Sequence, residues 1–448
     1  MTVLSERTLP VPRAMSYAAV RRNLAAMETQ QVAASVEAAR EALGGDLEAE
    51  LVIAFGRAFH QSGVPSDQLE ELMRGTALAL DIELQVTALP TSITAAIGHG
   101  YAQKVVLLRL EPGIIDLRRL SLLNAVYERV LRRRVACPDA LKDVERIARL
   151  PHAVGPLPTV FAYLVLSLGA SIILGGRELE HVASGLVGLA VGLVAVLGRR
   201  NLAIARLFDV LAAFVTTVIV STFAARVHPI AVYVPLVAGV VQLVPGLQIT
   251  AALHELAYRN LVAGTARLGG VLMTLVSLGC GFALGIAVVG PTAMHVAPVR
   301  TYPLSPLAIA LATLAIATAI AILQNARAAD IPWVIGSCAV AEVAYRIAGG
   351  LPGHQVATFG AALVVGLFTG AGARYARIPQ AVLLIPGVLI LVPGALSYES
   401  VLYLLQSDAG NGGALAVNAG VAASEIVAGL LLAQLFVSPR ALPGTTAP

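Results

Sequence analysis

The protein has 448 residues, of which 57% are hydrophobic and 13% charged, with a formal net charge of +4. A soluble globular protein carries about 25% charged residues, so most of this chain is excluded from water. Nucleic-acid binding finds no support, because the positive charge comes from arginines near the ends of apolar runs and no basic stripe interleaved with aromatics appears.

Residues 1–47 read as an N-terminal tail. Met1–Gln31 lacks an uninterrupted apolar core and carries Arg7, Arg13, Arg21 and Arg22, so a cleavable signal peptide is not expected there and the first 150 residues are expected in the cytoplasm. Residues 48–150 have ordinary soluble charge density and hold both lysines, Lys104 and Lys142; they read as a small α/β domain. "LEAELVIAFGRAFHQ" has helical periodicity and "SDQLEELMRGTALAL" predicts a second helix with Ser66 as its cap. "IELQVTAL", "TSITAAI" and "KVVLLRL" predict strands, and "DLRRLSLLNAVYERVLRR" a helix. Neither lysine sits in a phosphate-binding loop, and no G-x-S-x-G or H-E-x-x-H pattern occurs, so no enzyme is expected. His60 and His99 read as ordinary histidines, and the domain as a gating or regulatory lid.

From Pro151 the chain becomes a series of apolar runs, each near the roughly 20 residues needed to cross a bilayer. Ten spans are expected in two sets of five. Residues 151–290 hold those near 156–176, 182–198, 205–225, 229–246 and 268–290; residues 304–438 hold those near 305–324, 331–348, 354–373, 379–398 and 413–437. With a cytoplasmic N-terminus, nine loop arginines fall inside and four outside, following the positive-inside rule. Cys137, Cys280 and Cys338 are scattered and predict neither a disulfide framework nor a metal site, and no cofactor is expected.

The fourth span of each set carries nearly the same phrase. "GVVQLVPG" (239–246) and "GVLILVPG" (387–394) agree at six of eight positions, 148 residues apart. An odd number of spans per set makes the second cross in the opposite sense, the signature of an inverted-topology repeat. The correspondence extends upstream without gaps, from "LAAFVTTVIVSTFAAR" (211–226) to "FGAALVVGLFTGAGAR" (359–374). Pro removes a backbone donor and Gly permits conformations that a helix does not use, so Pro245–Gly246 and Pro393–Gly394 predict broken helices. Broken backbone inside a membrane must face protein or a watery cavity, which points to a central site.

"LVPGLQITAALHELAYRNLVAGTARL" (243–268), "VATFGAALVVGLFTGAGARYARIPQAVLLIPGVLILVPGALSY" (356–398), "AFHQSGVPSDQLEELMRGTALAL" and "IIDLRRLSLLNAVYERV" resemble the threonine/serine exporter family, over most of residues 50–435. The resemblance implies a cytoplasmic N-terminal domain before about ten spans in a bacterial inner membrane, and export of threonine and serine driven by the proton-motive force. Small dicarboxylates on the same fold, and a membrane-anchored enzyme or sensor using the N-terminal domain, are the alternatives; a channel would need charge rings or carbonyl filters that are not in evidence. A homo-oligomer is compatible with the sequence.

Candidate transport residues follow from cost, since ionisable groups inside a bilayer are expensive. Glu425, near the middle of the last span, is the first candidate to carry a proton; its other reading is a structural hydrogen bond to a neighbouring helix. Glu342 has Arg346 one turn on, which predicts an ion pair. Asp209 opens the third span, and Thr216 offers a hydroxyl further along it, alongside Thr217 and Ser221. Gln242 stands where the second phrase has Ile390, so the site need not be symmetric. Thr250 and His254 follow the first break, with His254 on a solvated interfacial face or titrating near neutral pH; Ser397 and Tyr398 follow the second.

Overall fold

The computed structural model describes Glu41 and residues 43–100, 103–111, 113–151, 153–227, 230–290, 304–350, 354–376, 378–392, 394–405 and 408–437. The polar N-terminal part contains helices α1 (Leu47–Gln61) and α2 (Ser66–Ala79), strands β1 (Leu84–Leu89), β2 (Ser92–Ile97) and β3 (Lys104–Arg109), and helices α3 (Leu117–Leu131) and α4 (Cys137–Ala148). The strands form an antiparallel meander in the order β1-β2-β3, with Thr87 opposite Thr94 and Thr94 opposite Leu107. Period-two alternation turns Val86, Ala88, Ile93, Ala95, Val106 and Leu108 onto the helices, where they meet Phe55, Leu69, Met73 and Leu123 in one core. Helix α4 was not anticipated, and the predicted Ser66 cap is displaced: Pro65 is the N-cap, and Ser66 is the first helical residue.

The apolar part follows as α5 (Pro156–Ile173), α6 (Glu178–Gly198), the short α7 (Leu202–Arg206), α8 (Phe208–Arg226), α9 (Tyr233–Val240), α10 (Gly246–Ala257) and α11 (Leu261–Val289), then α12 (Pro306–Leu323), α13 (Ile331–Gly349), α14 (His354–Ala371), α15 (Gln380–Leu391), α16 (Gly394–Leu405) and α17 (Ala409–Phe436). A π turn at Gly372–Ala376 ends α14. Among the described residues nine segments are long and apolar enough to cross a membrane, one fewer than expected. The expected single span at 229–246 holds only α9 and the interruption after it, and α10 begins at its last residue; each helix is too short to cross alone.

Packing repeats between the two sets. α5 lies on α6 as α12 lies on α13, α8 on α11 as α14 on α17, and α10 on α11 as α16 on α17; α5 and α12 meet each other directly. Small residues make the close approaches. A side chain at Gly281 would overlap the Val210 carbonyl and crowd Ala213 and Phe214 N, and one at Gly429 would meet the Phe359 carbonyl, Ala362 and Leu363 N. Position 429 is 148 beyond 281, but 359, 362 and 363 are each 149 beyond 210, 213 and 214. The gap-free match expected between α8 and α14 is therefore displaced by one residue, because it is buried contact and not letter similarity that fixes helix rotation.

Candidate functional site

The site is built around two interruptions. Between α9 and α10, residues 241–245 leave the helix. Leu243 N and Val244 N both fold back onto the Val240 carbonyl, at 2.8 and 3.2 Å, and Gly246 N donates to Val244 O at 2.8 Å. Pro245 has no N–H to extend α9 and stands as N-cap of α10, which no side chain caps. Gly246 opens α10. In the second set α15 ends at Leu391, Val392 is extended, and Gly394 opens α16; Pro393 lies outside the described residues. Pro386 has no N–H to give the Val382 carbonyl one turn back in α15, and Ser337 Oγ donates to the neighbouring, buried Leu383 carbonyl at 2.6 Å.

Both phrases begin with a glycine because both half-helices are gripped from two sides. A Cβ on Gly239 would overlap Val187 of α6 and crowd Thr216 of α8, while one on Gly387 would crowd Ser337 of α13 and Val365 of α14.

Several predicted residues gather here. Thr216 is buried against Gly239 with its hydroxyl unpartnered, and Gln242 is half-buried within the first interruption. Thr250 donates back to Gly246 O at 3.2 Å, and Ser397 is buried on α16. Tyr398 crosses from the second set into the core of the first, beside Val187, Val240 and Phe282, with a fully buried, unpartnered hydroxyl. Others stand apart. Asp209 is half-buried at the start of α8. Glu342 pairs with Arg346, as its spacing predicted. Glu425 is half-buried on α17 and hydrogen-bonded with Thr358 of α14.

His254 is not on a solvated face. Its Nδ1 lies 3.3 Å from Asp67 Oδ2 with both side chains largely covered, and its ring packs against Tyr258. Burial pushes the Asp67 carboxyl up, but the hydrogen bond and charge of His254 outweigh that and leave its pKa below the usual value. Beside it the fully buried Glu255 accepts from Ser66 N at 3.1 Å and from Arg267 Nε and NH2 at 3.1 and 2.8 Å. A carboxylate from α10 thus replaces the side-chain cap that Ser66 was expected to provide. On the second set, Leu117 N at the start of α3 donates to Gln324 O at the end of α12 at 2.8 Å, and Arg327 reaches Ser121 at 3.1 Å. Away from the domain, Tyr233 of α9 donates to Glu399 of α16 at 3.0 Å. These pairings were missed because their members lie far apart in sequence; Glu255 within the apolar "ITAALHELA" was the one local signal.

Residues 50–289 match a family model described as a threonine/serine exporter, and residues 307–436 match a second described as "Threonine/Serine exporter, ThrE". The chain belongs to the threonine/serine exporter family. It is a multi-pass membrane protein. The chain is also similar to "Pheromone-regulated membrane protein 10" of Candida glabrata, 26% identical over 80% of this chain and 46% of the relative. The protein of that name from Eremothecium gossypii is 24% identical over 86% of this chain and 54% of the relative. An uncharacterized protein of Schizosaccharomyces pombe is 25% identical over 53% of this chain and 32% of its own length. The chain thus spans about half the length, or less, of these curated relatives. No solved structure matches it.

Proposed function

We propose that this exporter carries threonine and serine outward against entering protons, through a site between the two interrupted helices. The observation that carries this reading is the pair of matched breaks, each opening an uncapped or glycine-led half-helix next to buried hydroxyls. An amino-acid zwitterion needs donors for its carboxylate and acceptors for its ammonium. The first turns of α10 and α16 offer N–H groups, and the interrupted backbone offers carbonyls, so no charged side chain need be dedicated to either end. Thr216, Gln242, Thr250, Ser397 and Tyr398 are the side chains assigned to the substrate, with Asp209 at the approach. Threonine and serine would find hydroxyl partners in this set.

The two sets are read as inverted repeats with the N-terminal domain cytoplasmic. The repeated packing of α5–α11 and α12–α17 supports this, as does the meeting of α5 with α12. Glu425 is the proton carrier in this reading, with Thr358 of α14 as its hydrogen-bond partner; His254 and Glu342 are paired elsewhere and rank behind it.

The test is flux of labelled threonine and serine in proteoliposomes under an imposed pH gradient. The wild type, Glu425→Gln and a Pro245→Ala/Pro393→Ala double variant are compared. Gradient-driven flux that the double variant loses, with an altered pH profile for Glu425→Gln, is expected. An unchanged profile removes Glu425 from the proton path. A folded protein that moves neither amino acid sinks the substrate assignment and turns attention to small dicarboxylates.

A further inference from the structure

Alternating access requires that the path be closed on one side whenever it opens on the other. The two ends of this molecule are closed by different means. At the end remote from the N-terminal domain, α9 and α16 are joined by a side-chain bond within the spans, Tyr233 to Glu399 at 3.0 Å. The positions 148 residues away in the repeat are Ala381 on α15 and Ala251 on α10, neither of which can make such a bond. At that end the N-terminal domain does the joining. Ser66 N and Asp67, at the start of α2, hold Glu255 and His254 of α10, while α15 meets α3 of the same domain and its Val382 joins the buried cluster that contains the domain core. The domain therefore bridges two half-helices, one from each set, and both lead directly to the breaks.

We propose that the N-terminal domain is the gate on its own side of the membrane: its α2 terminus on α10 and its apolar surface on α15 keep the two half-helices together. Tyr233 and Glu399 form the opposite gate. The proposal rests on the reading that the breaks line the transport path. It adds which contacts must part before that path opens toward the domain. Glu255 is suited to the task because it is fully buried and shared, accepting from Arg267 within the membrane part and from Ser66 N of the domain. When the domain lifts away, Arg267 retains the carboxylate, so Glu255 itself loses one hydrogen bond and is not stranded as an unpaired buried charge. Positioning the inner half-helices, not contacting substrate, is the role assigned to Ser66, Asp67, His254 and Glu255.

The test needs no substrate. Gln242→Cys, half-buried in the first break, is introduced with Cys137→Ala, Cys280→Ala and Cys338→Ala. Its labelling by a membrane-impermeant thiol reagent is timed in vesicles from each side. Ser66→Pro removes the N–H given to Glu255 while keeping α2, since proline suits the first helical position and Pro65 already has φ −58° and ψ 154°. Asp67→Asn weakens the hold on His254 with no backbone change, and serves if the proline variant fails to fold. Each should speed labelling from the domain side about tenfold, the size expected for losing one charge-assisted hydrogen bond, and leave the opposite side unchanged. Tyr233→Phe should do the reverse. Unchanged rates, or equal acceleration from both sides, overturn the gate. Absence of threonine and serine flux leaves this result untouched and counts only against the substrate assignment.

Discussion

Removing Arg267 should destabilise the protein more than removing the charge of its partner, and removing both should restore much of the loss. Glu255 has no exposed surface, whereas the Arg267 side chain keeps 23% of its own. Arg267→Met leaves a desolvated carboxylate held by the Ser66 N–H alone among the described residues, a cost of about 3–5 kcal/mol for an uncompensated buried charge. Glu255→Gln removes the buried charge and keeps an acceptor oxygen, while Arg267 can turn its guanidinium toward its exposed edge; about 1–2 kcal/mol is expected. Glu255→Met/Arg267→Met removes both charges and should return to within about 2 kcal/mol of the wild type, because a buried pair contributes little net stability over apolar side chains of similar size. Denaturant unfolding in one detergent gives the three values. If Arg267→Met proves no worse than Glu255→Gln, or the double variant no better than Arg267→Met, the reasoning about this buried pair is wrong.

Glycine packing gives a second contrast: Gly239→Ala should cost about 1–3 kcal/mol through overlap with Val187, whereas Gly336→Ala, with nothing within 4 Å of its Cβ, should change stability little, both read from thermal unfolding. His60 Nε2 lies 3.1 Å from Pro90 O, and its pKa is lowered chiefly by burial, against the backbone hydrogen bonds that raise it. A lowered histidine pKa favours the neutral form in the fold, so its contribution is complete above about 6.5 and is lost as pH falls toward the depressed value. Hydrogen-exchange protection in the β1–β2 hairpin of the whole protein, after correction for the intrinsic pH dependence of exchange, should therefore fall as the pH drops below about 6.5, and His60→Gln should flatten that dependence. Glu342→Ala should lower stability by no more than about 0.5 kcal/mol, since Arg346 is 43% exposed and the pair is an ordinary i,i+4 contact; a loss above about 2 kcal/mol would show a role that the geometry lacks.

The sequence by itself determined the solvent, the approximate position of most spans, the three strands and the twice-written break, because each depends on neighbours a few residues apart. Hydropathy over twenty residues, alternation over six, and a Pro-Gly pair act locally whatever surrounds them. Tertiary structure decided the rest. It ended the fourth span's helix at α9 with α10 starting afresh beyond the break, displaced the α8–α14 correspondence by one residue, and gave Ser66 N an acceptor from 189 positions away. It also took His254 out of solvent and set Tyr398 of one set inside the core of the other. A buried polar group must find whichever partner packing brings to it, and that partner is chosen by the crossing of helices distant in the chain. Amino-acid order near Glu255 could announce a costly carboxylate; only the folded arrangement could show that the N-terminal domain and Arg267 share it.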